Sequence, residues 1–403
     1  MRGRGKHAGT NRVEKRIGPT ACLAYPGAIW LGFFGNRMIH PAWLMTATTA
    51  TGNVPAAHLG LIFAIAAVAL VFDFLNGFHD AANSIATVVS TRVLSPRQAV
   101  IWAGFFNFAA AFVFGTGVAK TVGSDLVDTR FVDVFVVLGG LMGAIIWDVI
   151  TWLLALPTSS SHALVSGVAG AAIAKAGFGA IILGKGWGLL ILFLFVSPII
   201  GFLLGAINMV AVAWIFRRAT PHRVDTLFRH LQLLSAGVYS LGHGGNDAQK
   251  TIGVIVLLLT AGGHAPWAVY GSVSLPWVHN EYGLPIILAC NAAIALGTIF
   301  GGWRIVKTMG SGITRLTPVG GFCAELSAAT TIIGATFCQI PISTTHAITG
   351  SILGVGTMRG VRSVRWIWGQ RIVTAWILTI PCSAFMAGVT YILIHLFVQP
   401  LFR

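Results

Sequence analysis

The chain has 403 residues, of which 56% are hydrophobic and 9% charged, and its mean hydropathy is +0.82. That composition excludes an ordinary water-soluble domain. The formal net charge of +15 does not mark a nucleic-acid face, because seven basic residues crowd into the first 40 positions and most others fall in short stretches between apolar runs, the pattern of membrane orientation.

In chain order, residues 1–57 form a basic N-terminal tail with one apolar piece, Ala21–Gly35, which is short for a crossing and contains Pro26. From residue 58 the sequence turns hydrophobic and is then interrupted by NGFHDAANSIATVVSTR (Asn76–Arg92). Apolar runs follow at Ala99–Ala119, Val132–Leu156, Gly186–Phe216, Leu284–Gly302 and Ile372–Val398, each of a length that crosses a hydrocarbon core of ~30 Å. They are continuous rather than alternating, so helices are expected and not a closed barrel. The expected fold is all-α, a polytopic membrane protein with ~10 crossings or half-crossings. The 49 glycines suit helices whose backbones approach closely in lipid. Cys22, Cys290, Cys323, Cys338 and Cys382 show no metal-ligand spacing and read as packing residues.

The chain also resembles itself. GFHDAANSIA (Gly77–Ala86) aligns with GGNDAQKTIG (Gly244–Gly253), which pairs Asp80 with Asp247, His79 with Asn246 and Asn83 with Lys250. PTSSSHA (Pro157–Ala163) aligns with PISTTHA (Pro341–Ala347), KTVGS (Lys120–Ser124) with KTMGS (Lys307–Ser311), and Asn107 with Asn291. Four matches in one order indicate a duplication, with transmembrane repeats over 58–216 and 231–403 joined by a basic cytoplasmic linker, 217–230. With each PxSxxHA region folded as a paired or re-entrant element, the cytoplasmic side holds Arg92, Arg97, Arg217, Arg218, Arg223, Arg229, Arg304, Lys307, Arg315, Arg359, Arg362, Arg365 and Arg371, 13 in all. The outside holds 4: Lys120, Arg130, Lys175 and Lys185. Each copy then makes an odd number of net crossings, and the two repeats have inverted topology. The same count puts the residues before His58 outside, against their own basic charge.

Inverted repeats whose spans are interrupted by polar residues are the architecture of secondary transporters, with substrate bound near the midplane at broken or re-entrant helices. The Asn76–Asn83 stretch is accordingly expected as a break that faces inward. Asp80 and Asp247 are candidate carboxylates for a cation or a proton, with Asn76, Asn83 and Asn246 as neutral partners; Asp80 and Asn83 share a helical face. A helix cap is the simpler reading of either Asp. In the other motif a Pro-led helix start is followed by hydroxyls, Thr158, Ser159, Ser160 and Ser161 in one copy and Ser343, Thr344 and Thr345 in the other. Backbone N–H and O–H donors at a positive dipole end suit an oxyanion, and ordinary capping competes as an explanation. His162 and His346 stand either as packing groups or on the path. Glu325 and Asp148 are weaker candidates for proton handling, and Asp73 reads as structural. Cation oxygens beside oxyanion donors imply an anion moved together with cations. No enzyme is expected: adjacent Ser and His do not by themselves make a nucleophile and its base, and catalysis does not explain the duplication.

At NGFHDAANSIATVVSTR, GHGGNDAQKTIGVI, PTSSSHAL and PISTTHAITG the chain resembles the inorganic phosphate transporter (PiT) family, from about Leu61 to the end. The resemblance implies symport of inorganic phosphate with H+ or Na+, at the cell (plasma) membrane. It implies a site drawn from Asp80, Asn83, Asn246, Asp247, Ser159–Ser161 and Ser343–Thr345, with Asp80 and Asp247 as contacts for Na+ or for a metal–phosphate complex. His79, Lys250, His162 and His346 complete the candidate set. A sulfate permease of the same family is the near alternative. The symmetrical sodium-type pattern has Asn in both copies, whereas here Asn83 is matched by Lys250. Together with GFHD this is similar to the bacterial low-affinity, proton-coupled branch, whose carriers accept phosphate with a divalent metal. A fixed ammonium at Lys250 either neutralises an Asp, in the place of a Na+, or meets the phosphate. The expected partners are phosphate, H+ or Na+, a divalent metal travelling with phosphate, the lipid bilayer and a second copy in a possible homo-oligomer, with no nucleic acid and no cofactor beyond the coupling ion.

Overall fold

A computed structural model describes residues 59–269, 272 and 280–402; the N-terminal tail lies outside the described residues. Among these the chain folds into twelve α-helices, and extended pairing is limited to one isolated bridge between Val127 and Ile181. The first six are α1 (Leu59–Ser90), α2 (Pro96–Ala109), α3 (Gly117–Ser124), α4 (Val134–Leu153), α5 (Ser160–Ala176) and α6 (Lys185–Ile215). The second six are α7 (Pro221–Ala261), α8 (Leu284–Phe300), α9 (Trp303–Lys307, continued by a π turn Thr308–Gly312), α10 (Pro318–Phe337), α11 (Thr344–Met358) and α12 (Trp366–Leu393).

The two sets pack on each other reciprocally. Helix α1 packs on α8, and α7 on α2; α6 packs on α11, and α12 on α5. Likewise α3 lies against α7 and α9 against α1, while α4 meets α12 and α10 meets α6. In every pair the partners exchange roles when the first six helices are renumbered as the second six. Each half therefore buries much of its apolar surface against the other half, and the core is common to both.

Breaks occur where the sequence did not suggest them. Helix α1 runs unbroken through Asn76–Asn83, and α7 through Asn246–Lys250. No Pro interrupts either stretch, and their glycines serve close approach: a Cβ on Gly77 would be driven into the carbonyl of Ile294, and one on Gly244 into that of Asn107. The spans bend instead by 82° between α2 and α3 and by 62° between α8 and α9. The expected linker 217–230 is also mostly helical. Pro221 opens α7 at a position that needs no N–H, and the first turns are tied by Arg229 to Asp225 at 2.8 Å and by Thr226 Oγ1 to the His222 carbonyl at 3.0 Å. Among the described residues, five helices are long and apolar enough to cross a membrane, or seven if each bent pair is one span. This is fewer than ~10 because the polar motif lowers the hydropathy of α7, and because α5 and α11, of 17 and 15 residues, are short for a full crossing.

The PxSxxHA regions do fold as paired elements: α4 with α5, and α10 with α11, form two helical hairpins. Helices α4 and α10 end alike. Leu156 N–H bonds the Thr151 carbonyl at 2.9 Å and Ile340 N–H the Ala335 carbonyl at 2.9 Å, closing the last turn around a left-handed residue, Ala155 (φ 55°) in one and Gln339 (φ 61°) in the other. Thr308 Oγ1 donates to the Ala155 carbonyl at 3.2 Å, and Thr121 Oγ1 to the Gln339 carbonyl at 3.0 Å. The KTVGS and KTMGS segments thus hold the hairpin tip of the opposite repeat.

Surface charge is distributed unevenly between the two ends. Of the basic residues assigned to the outside, Lys120 pairs with Glu281 (3.5 Å), Arg130 with Asp128 (2.5 Å) and Lys175 with Asp133 (2.7 Å). On the side assigned to the cytoplasm, Arg217 lies over Trp214 (5.1 Å), Arg304 over Trp152 (5.0 Å) and Arg371 over Trp368 (5.3 Å), cation–π pairs suited to an interface.

Gly170 in α5 and Gly354 in α11 occupy equivalent positions, against the carbonyls of Ala384 and Phe202. Gly170→Val and Gly354→Val should each lower the fraction of monodisperse protein in detergent size-exclusion chromatography, since helix association in lipid depends on such contacts. Gly334→Val, where a Cβ meets nothing within 4 Å, should elute as the parent does.

Candidate functional site

The site forms where the middles of α1 and α7 meet the tips of both hairpins. Asp80 and Asp247 are 2% and 0% exposed. Thr344, the first residue of α11, bridges them: its Oγ1 lies 3.0 Å from Asp247 Oδ2 and 3.5 Å from Asp80 Oδ2. Thr345 Oγ1 lies 3.2 Å from Asp80 Oδ2 and 3.1 Å from the Thr158 carbonyl, and it accepts from Asn83 Nδ2 at 2.8 Å. From the other hairpin Ser161 Oγ approaches Asp247 Oδ1 at 3.5 Å. Lys250 Nζ donates to Asp247 Oδ1 (2.5 Å), Ser161 Oγ (2.6 Å) and the Ile342 carbonyl (2.6 Å).

Two imidazoles complete the cluster. His79 Nδ1 donates to Asp80 Oδ1 at 2.9 Å, and its Nε2 faces Thr151 Oγ1 at 3.2 Å. His243 Nε2 lies 3.3 Å from Asp247 Oδ2 and 4.0 Å from Asp80 Oδ2, with Asn107 Oδ1 behind it at 3.2 Å from Nδ1. Asp80, His243 and Asp247 each offer one ligand atom, all within 4.8 Å of one another, so the donor set fits a small cation. His243 was not among the sequence candidates. The signal was present, because the alignment of Gly77 with Gly244 also sets His243 against Asn76, one turn ahead of the Asp in each copy.

The hydroxyls divide into two groups. Ser159 and Ser343 are helix caps: their Oγ atoms accept from the N–H of His162 (3.3 Å) and His346 (3.2 Å), as the simpler reading held. Capping leaves the first two amides of each helix, those of Ser160 and Ser161 and of Thr344 and Thr345, for another acceptor at a positive dipole end. Ser161, Thr344 and Thr345 turn their hydroxyls to the carboxylates, and Ser160 Oγ and Asn76 Oδ1 are buried without a hydrogen-bond partner among the described residues. His162 and His346 pack on each other at 5.0 Å, and His346 stacks on Trp376 at 3.7 Å, which makes them core residues behind the tips. Asn246 Nδ2 donates to Thr336 Oγ1 at 2.9 Å and so holds the second hairpin. Glu325 is satisfied away from the site, by Gln232 Nε2 (3.0 Å) and Ser235 Oγ (2.5 Å), and Asp73 accepts from Thr251 Oγ1 at 2.9 Å. A cavity of about 340 Å³ between α6, α11 and α12 is apolar and lies elsewhere, lined by residues such as Phe202 and Ile377.

Comparison with known proteins decides the family. A family model described as phosphate transporter family matches residues 76–387, a span that includes every site residue above. The chain belongs to the phosphate transporter family. A relative from Rhizobium meliloti (strain 1021), named as a probable low-affinity inorganic phosphate transporter, is 50% identical over 336 residues, 82% of this chain and 96% of that one. One from Bacillus subtilis (strain 168) with the same name is 43% identical over 339 residues, 83% of this chain and 98% of that one. Among solved structures, one titled the sodium-dependent phosphate transporter matches with a TM-score of 0.75 at 24% identity, over 84% of this chain and all of that one, a likeness of fold. These are transporters and not enzymes, and with the apolar helices they make this phosphate transporter family member a multi-pass membrane protein.

The division of hydroxyls is testable by thermal stability and phosphate binding in detergent. Ser159→Ala and Ser343→Ala should each cost about 1 kcal/mol of stability and leave apparent phosphate affinity within a few-fold. Ser161→Ala and Thr344→Val should weaken that affinity by about tenfold or more, the loss expected for a hydrogen bond to a charged group.

Proposed function

We propose that this chain imports inorganic phosphate across the plasma membrane by symport with a cation, and that the cation is H+. The observation that carries the reading is the convergence, in one closed site, of two carboxylates from α1 and α7 with two hydroxyl-bearing helix starts from the two hairpins. Free amides and hydroxyls suit a tetrahedral oxyanion. The carboxylates supply the reason for coupling, because an anion beside Asp80 and Asp247 is repelled unless positive charge enters with it. That charge is a proton on a carboxylate, a Na+, or a divalent metal carried with the phosphate; Lys250 and the His79–Asp80 contact favour the proton. The near-complete burial of the site fits an occluded stage of alternating access, with the two repeats inverted in the membrane and the site between them.

Purified protein in proteoliposomes, with gradients imposed one at a time, tests this. Labelled phosphate uptake should rise with an inward proton gradient and persist without Na+. Strict Na+ dependence with no response to pH would replace the coupling ion, and equal competition by sulfate would replace the substrate. Asp80→Asn and Asp247→Asn should lower uptake by at least about 100-fold while membrane insertion is unchanged.

A further inference from the structure

We propose that Lys250 is a tethered coupling cation: its ammonium permanently fills one of two equivalent oxygen cages, so that a single mobile cation serves the other. This rests on the transport reading above. The second-repeat cage consists of Asp247 Oδ1, Ser161 Oγ from the opposite hairpin and the carbonyl of Ile342, at 2.5, 2.6 and 2.6 Å from Nζ. Its first-repeat counterpart consists of Asp80 Oδ2, Thr345 Oγ1 and the carbonyl of Thr158, which are joined through the hydroxyl by contacts of 3.2 and 3.1 Å. Each atom has its equivalent in the self-alignment, Asp80 with Asp247, Ser161 with Thr345 and Thr158 with Ile342. The sole change is at the fourth corner, where Asn83 stands against Lys250. Asn83 donates to Thr345 Oγ1 at 2.8 Å, as Lys250 donates to Ser161 Oγ.

Donor counting separates this role from direct contact with phosphate. A lysine ammonium has three N–H donors, and three protein oxygens take them. None is left for the anion. The arrangement is that of a bound cation with a carboxylate, a hydroxyl and a carbonyl as ligands. Asp80, by contrast, has hydroxyls and two imidazoles beside it, His79 at 2.9 Å and His243 at 4.0 Å, and no lysine or arginine paired with it among the described residues. A tethered charge neutralises Asp247 without crossing the membrane. It therefore contributes nothing to the driving force, and each mobile charge given up lowers the concentration ratio sustainable at about 100 mV by about 50-fold.

The test is the charge moved per phosphate, read from reversal potentials in proteoliposomes under combined proton, sodium and phosphate gradients. Lys250→Asn restores the first-repeat chemistry, and the ratio should rise by about one positive charge, with a steeper dependence of uptake on cation concentration. Lys250→Met, which supplies neither charge nor oxygen, should lower uptake by at least about tenfold, and no cation concentration should restore it. An unchanged charge ratio in Lys250→Asn, or wild-type uptake by Lys250→Met, overturns the proposal. If Lys250→Asn does not insert, Asn83→Lys gives the reciprocal measurement: the ratio should fall by about one, and an unchanged ratio overturns the proposal equally. Wild-type protein that moves no phosphate under any gradient would sink the transport reading instead, and that outcome is distinct from each of these.

Discussion

Two carboxylates buried side by side govern the rest of this structure. Like charges about 4 Å apart repel by roughly 4 kcal/mol at the effective dielectric of a partly polar site, and by more in a drier one. Asp80 and Asp247 are both sealed from solvent, so the surrounding elements must supply compensation. Thr344 reaches both from one helix start, Lys250 neutralises one, and His243 lies between them. The compensation is drawn from α1, α7 and the tips of both hairpins, so assembling the site requires bringing the two halves of the chain together.

The same residues tie the site to elements placed to control access. Ala155 and Thr158 belong to one hairpin tip, and Gln339 and Ile342 to the other. In each tip the first residue is held through its carbonyl by a threonine of the opposite repeat's short helix, and the second offers its carbonyl to the site. A left-handed non-glycine residue costs about 1–2 kcal/mol, yet it recurs at both tips, where it turns the chain sharply enough to serve both contacts. Thr121 and Thr308 thus each tie one hairpin tip to the opposite repeat.

Much of this was legible in the sequence, for a physical reason. Duplicated motifs are short-range signals, and the self-alignment located both hairpins, both carboxylates, Lys250 and the KTxGS segments that grip the tips. The breaks are not legible in the same way, because polarity inside an apolar run does not by itself mark a backbone interruption. In Asn76–Asn83 polar groups instead project from an intact helix toward partners on other elements, and only the fold supplies Thr345 to Asn83 or Thr151 to His79. The actual bends, at 113–116 and 301–302, are marked by little more than Gly115, Gly301 and Gly302. Ser159 and Ser343 were indistinguishable from their neighbours by residue type. Which hydroxyl caps and which faces the site depends on helix phase, set once the hairpin turn is formed.

Where the frame is symmetric, the departures from symmetry carry the function. Backbone pairings, left-handed turns and latching threonines are duplicated, as a shared architecture requires. The two Asp are duplicated as well, but the side chains around them are not: His79 aligns with Asn246, Asn76 with His243, and Asn83 with Lys250. Two identical oxygen cages would bind two identical cations and leave the closed site with equivalent halves. Placing a lysine in one and imidazoles beside the other makes the halves chemically distinct while every backbone contact is kept. Under the proposed function, such a site would close around phosphate with one fixed positive charge and one that must arrive and leave, and the second of these would link the anion to a gradient.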